Sequence, residues 1–230
     1  MKHLTLIALA LSCAATAALA QPKPPLPGQQ QAAKAAAPAA KTALPAATGK
    51  LTPIGDGATV LSADGKLIWM RCQIGQSFEK GQCMGDPKKM DQRDAANEVK
   101  RINFTGGYAG SQDWRLPSVE ELQSLVFCEH GLSQRQRSVK LSKDNSKALP
   151  DACQGENYLR PTIDPIVFPN AAKEWVWTET PDLDRVVNMW AINFASGAPA
   201  PIGRANNQTA ARAVRSEERR VGKECRALCR

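Results

Sequence analysis

Histidine is almost missing from this chain. There are only two, His3 and His130, so any Ser-His-Asp triad would have to use His130, and no nucleophile elbow accompanies it. A histidine beside a helix end is ordinarily a structural or exposed side chain. There is also no His-Glu-x-x-His pair, no phosphate-binding loop and no dinucleotide fingerprint. Those absences remove the common signatures of metalloprotease, nucleotide and dehydrogenase chemistry. No apolar run is long enough to cross a bilayer. Glycine does not recur at every third position, which excludes a collagen helix, and no internal repeat is visible. Net charge is missing where it would matter most. The whole chain carries a formal +8, yet residues 51–214 hold 19 Lys and Arg against 19 Asp and Glu. That balanced region has no general attraction for nucleic acid or other polyanions.

What is present begins with an export signal. Lys2 supplies a charged start, Leu4 to Leu11 an apolar run, and Ala18-Leu19-Ala20 a small-x-small cleavage site before Gln21. A lipoprotein reading, with lipid on Cys13, is the alternative. Residues 21–50 are rich in Pro, Ala, Gln and Lys. They contain little that is large enough to bury and read as a disordered tether. The expectation is an exported protein, periplasmic or extracellular, with no transmembrane span.

The folded part is expected over residues 51–215. Thr59-Val60-Leu61 and Lys66 to Met70 flank an Asp64-Gly65 turn, a hairpin pattern. Met90 to Ile102 has a helical apolar face made by Ala95, Val99 and Ile102, ended by Gly106-Gly107. A second helix starts at Ser118, with Glu121 at the capping-box spacing. Its apolar stripe is Val119, Leu122, Leu125 and Val126. Residues 129–160 read as polar and irregular. Residues 174–178, 186–195 and 210–215 read as strands from their Trp, Val, Ile and Phe content. Two helices among short strands and long loops make one α+β domain.

The stretch Asp113-Trp114-Arg115-Leu116-Pro117-Ser118-Val119-Glu120-Glu121-Leu122 resembles the signature of the family named after the C-terminal domain of Legionella collagen-like protein. Further pieces are similar in order: Leu67 to Cys72 with Trp69, the Gly75 to Cys83 loop, Pro161 to Asp164, Phe168-Pro169-Asn170, Trp175 to Thr178 with Trp177, and Trp190 to Phe194. The resemblance implies a secreted bacterial module with a C-type-lectin-like fold and no catalytic residue set. Its structural signature here is Trp69, Trp114, Arg115, Pro117, Ser118, Glu121, Leu122, Trp177 and Trp190. An exported chain meets an oxidising compartment, and Cys72, Cys83, Cys128 and Cys153 allow three pairings. The resemblance implies Cys72–Cys83 and Cys128–Cys153. A zinc site is disfavoured, because no Cys-x-x-Cys knuckle occurs among them. No cofactor or metal is expected; Asp182 and Asp184 read as an exposed turn, in preference to a calcium site.

The run from Arg215 to Arg226 resembles the in-frame translation of a short-read sequencing adapter. Residues 216–230 are therefore read as foreign to the native protein, the alternative being a genuine basic tail. Cys225 and Cys229 are not read as a metal or redox pair. One cluster remains as a binding candidate. Arg135, Arg137, Lys140, Lys143 and Lys147 place five cations over thirteen residues, opposed within that span by Asp144. Spaced along one face of a loop, they would suit sulfate or carboxylate groups. The family's namesake binds glycosaminoglycans, so the resemblance implies an anionic-glycan contact. The expected function is an exported, non-enzymatic recognition or adhesion module of unknown oligomeric state, with a glycan or an envelope protein as partner. The alternative is a structural component of an envelope or fimbrial assembly.

Overall fold

The computed structural model describes residues 51–217. The signal sequence, the tether, Cys13, Cys225, Cys229 and all but the first two residues of the 216–230 stretch lie outside the described residues. In chain order the elements are β1 (Leu51–Ile54), β2 (Thr59–Ser62), β3 (Leu67–Met70), β4 (Ser77–Glu79), β5 (Gln82–Met84), α1 (Gln92–Phe104), α2 (Val119–Gln123), β6 (Gln136–Ser142), β7 (Asn145–Pro150), β8 (Trp175–Pro181), β9 (Asn188–Asn193), β10 (Ala198–Gly203) and β11 (Val214–Ser216). This is an α+β mixture of antiparallel strands. One sheet has the order β1-β2-β3-β11 and a second β10-β9-β8, while β4-β5 and β6-β7 form separate hairpins.

Strand alternation builds two apolar clusters. In β3, Trp69 enters the first cluster, while Ile68 and Met70 enter the second. In β9, Trp190 and Ile192 go to the first, and Met189 and Ala191 to the second. β8 sends Val176 to one and Trp177 to the other. A period of two is what puts successive side chains on opposite faces, so these central strands are apolar throughout. Helix α2 contributes Val119 and Leu122 to the first cluster, and α1 contributes Ala95 and Val99 to the second.

Local signals explain most boundaries. Asp64 accepts from the Ser62 hydroxyl and the Lys66 amide, and Gly65 takes a positive φ of 68° to close the β2-β3 turn. Asp91 caps α1 by accepting from the Asp94 amide at 2.8 Å. Ser118 and Glu121 form the full reciprocal capping box of α2. That helix is shorter than its apolar stripe suggests. The Ser124 hydroxyl donates to the Glu121 carbonyl at 2.6 Å, a local bond that competes with helix continuation. Leu125 is still buried, and Val126 bridges to Ile163 outside any helix.

Two disulfides brace the loops. Cys72–Cys83 joins the chain after β3 to the middle of β5, and Cys128–Cys153 ties the chain beyond α2 to the chain after β7. Both have Cα atoms 5.4 Å apart. The irregular region expected over 129–160 instead contains the β6-β7 hairpin. Only Val139 and Leu149 are buried in it, with Leu141 packed alongside. Its alternation is hidden by Arg, Lys and Ser at nearly every other position.

Candidate functional site

The signature stretch is a scaffold first. Trp114 is 3% exposed, and its indole N–H is shared between the Tyr108 and Ser111 carbonyls at 3.1 and 3.0 Å. Asn103 in α1 grips the Trp114 backbone from both sides: its amide donates to the carbonyl at 2.8 Å, and its oxygen accepts from the amide at 3.0 Å. Arg115 reaches Glu121 with both terminal nitrogens, at 2.7 and 2.6 Å, and also approaches Glu179 at 3.6 Å. Burial raises the Glu121 pKa, but the Arg115 fork and the Ser118 amide outweigh it and hold the carboxyl below its usual range. For Glu179 burial dominates and pushes the carboxyl up. Pro117 is buried, and its carbonyl accepts from the Glu179 amide. Trp177 donates its indole N–H to the Met90 carbonyl, whereas Trp69 and Trp190 have no acceptor for theirs among the described residues.

Sequence reasoning missed a pair of interior cations. Arg71 and Arg212 are 1% and 2% exposed. Neither has a carboxylate partner among the described residues. Arg71 donates to the Gly57 and Ile166 carbonyls at 3.2 and 2.9 Å, and Arg212 donates to the Met70 carbonyl at 2.8 Å and to that of Arg71. Arg212 also lies 4.5 Å from the centre of the Phe168 ring. Burial pulls Arg212 down to about 9. These arginines tie β3, the 164–168 loop and the approach to β11 together. Nothing in composition points to them, because arginine is rarely fully buried.

The five candidate cations all belong to the β6-β7 hairpin or its approach. Arg137 pairs with Asp151 at 2.7 Å, and Arg135 meets the same carboxylate at 3.5 Å. Lys140 pairs with Asp184, and Lys147 with Glu120. Lys143, in the turn, has no ion pair among the described residues. Cross-strand register sets Arg137 opposite Leu149 and Lys147 opposite Val139, so those two cations share the face that turns its apolar residues inward. Lys140 projects from the other face. The five therefore do not line one face, as a simple loop would allow.

Other candidates fall into structural roles. His130 is exposed. Asp182, read as part of an exposed turn, is 6% exposed; it accepts from the Asp184 amide and the Asn188 side chain. Asp184 is the exposed partner of Lys140. Among the described residues no three His, Cys, Asp or Glu side chains group closely enough to hold a metal ion, and no helix is long and apolar enough to cross a membrane.

Short antiparallel sheets, two crosslinks and a doubly bonded helix cap define a disulfide-braced α+β module. The chain belongs to the Lcl C-terminal domain family, whose match runs over residues 58–215. Comparison with curated proteins and with solved structures gave no match.

Proposed function

We propose that this protein is an exported, non-enzymatic recognition or adhesion module of C-type-lectin-like architecture, and that the β6-β7 hairpin contacts anionic glycans. The observation that carries this reading is the state of the hairpin's cations. Arg135, Arg137, Lys140 and Lys147 are exposed and paired with carboxylates, of which Asp184 is exposed and Asp151 and Glu120 are partly buried. An exposed ion pair is worth only about 0–1 kcal/mol. A sulfate or uronate group can therefore replace Asp151, Asp184 or Glu120 as partner at little cost, and Lys143 is already available. The Cys128–Cys153 bridge holds the chain just beyond the hairpin, which limits the entropy lost on binding. Membership of the Lcl C-terminal domain family agrees with a surface-related module.

The test is retention on a heparin column. Changing Arg135, Arg137, Lys140, Lys143 and Lys147 together to Gln should lower the eluting salt concentration. Glu120→Gln with Asp151→Asn and Asp184→Asn should raise it, because it frees the same cations. Unchanged retention in both variants would remove the hairpin from the reading.

A further inference from the structure

A cleft of about 300 Å³ opens beside the β1-β2 turn, the loop before Trp114, and β11. It shares no residue with the cationic hairpin. One wall is apolar, formed by Ile54, Ile68 and Trp114. Thr59 and Ser111 add hydroxyl-bearing side chains. The two charged residues of the lining have opposite signs: Asp56 and Arg215.

Arg215 is the unusual member. It is 4% exposed and lies 5.9 Å from the centre of the Trp114 ring. Among the described residues its only side-chain partner is Glu217, at 3.2 Å through one terminal nitrogen, and its Nε–H is buried without an acceptor there. Buried charges are ordinarily paired and fully hydrogen-bonded. Arg215 is also the last residue of the family match, whereas Glu217 lies beyond it. The cation therefore belongs to the domain while its one ion partner falls outside it. Asp56 sits in the turn at the rim. One of its oxygens accepts from the Ala58 amide at 2.9 Å, and the other has no partner among the described residues.

We infer that this cleft binds a free α-amino acid, with its carboxylate on Arg215, its ammonium on Asp56 and its side chain against Trp114 and Ile54. A guanidinium is the side chain best matched to a carboxylate. A second charge of opposite sign in the same small space selects a ligand carrying both. The volume is at the lower end of the about 300–1,000 Å³ typical of ligand pockets, which suits a ligand of amino-acid size. A peptide end would satisfy only one of the two charges.

The experiment is titration of the ¹⁵N-labelled full chain with leucine, N-acetylleucine and leucinamide, followed by amide and indole NMR shifts. Leucine should move the signals of Gly55, Ser111, Arg215 and the Trp114 indole. Each blocked form should bind about tenfold more weakly or worse. Asp56→Asn, in an exposed turn, should keep the native spectrum and lose most of the leucine response, and Arg215→Lys should lose it as well. No shift with leucine up to about 10 mM would overturn the inference. So would equal binding of N-acetylleucine, or a leucine response that survives in Asp56→Asn.

Discussion

Glu121 does two jobs with one carboxylate. It accepts from the Ser118 amide at 2.7 Å, which completes the capping box, and it pairs with both terminal nitrogens of Arg115. Its pKa is depressed in the folded protein. The sign follows from linkage: the folded state holds the proton less tightly than the unfolded chain, so this group's stabilising contribution is complete above the ordinary glutamate range and is lost as pH falls through the folded value. Urea denaturation between pH 7 and pH 3 should show a fall in stability at the acid end, and Glu121→Gln should flatten part of it while costing about 1–2 kcal/mol at neutral pH. An identical acid slope in the variant would assign that slope to other carboxylates. The capping role was readable from Ser118 and Glu121 alone. The Arg115 fork was not, since it depends on a chain bend that no spacing rule encodes. Arg71, Arg212 and Arg215 were less legible still. Their burial rests on carbonyls and rings contributed from distant parts of the chain.

Among the elements, legibility tracks how much of the pairing is local. The β2-β3 hairpin has its turn signal in place, and α1 has its period and its stop; both occur where the residues point. The β6-β7 hairpin escaped because cations occupy its alternating positions. β10 escaped for a different reason: Pro199 and Pro201 argue against a strand. They are tolerated because β10 is the last strand of its sheet, where Ala198, Ala200 and Ile202 alternate with them in register with β9. Alternate residues direct their N–H groups to the same side, so the two prolines strip donors from the outer edge. That edge is poorly suited to accept a strand from another chain, which weighs against fimbrial assembly by strand addition on this sheet. Pro199→Thr with Pro201→Thr should restore the donors and raise the apparent mass at high concentration in analytical ultracentrifugation. A variant as monodisperse as the parent would show that something else covers the edge.

At the scale of the molecule, the crosslinks matter more than any single side chain. Their sequence separations are 11 and 25 residues, and loops of these sizes contribute about 3 kcal/mol each in the chain-entropy model. Small domains have only about 5–15 kcal/mol in total. Cys128→Ala with Cys153→Ala should therefore lower the urea midpoint markedly, by about 3 kcal/mol of stability, without altering the strand content seen by circular dichroism. An unchanged midpoint would mean that the 129–153 region is held by its packing alone.

In the β1-β2-β3-β11 sheet the first and last strands lie at opposite edges. Register places Leu51 beside Ser62, and Ser216 beside Leu67, with Ser62 and Leu67 at facing ends of the β2-β3 hairpin. The residues through which the chain enters and leaves this unit thus stand in one row, three strand spacings or about 15 Å apart. The module is built like a cassette with both its leads on the same side. Grafted between Leu51 and Ser216 into a loop of a larger host, it should fit without prising that host apart.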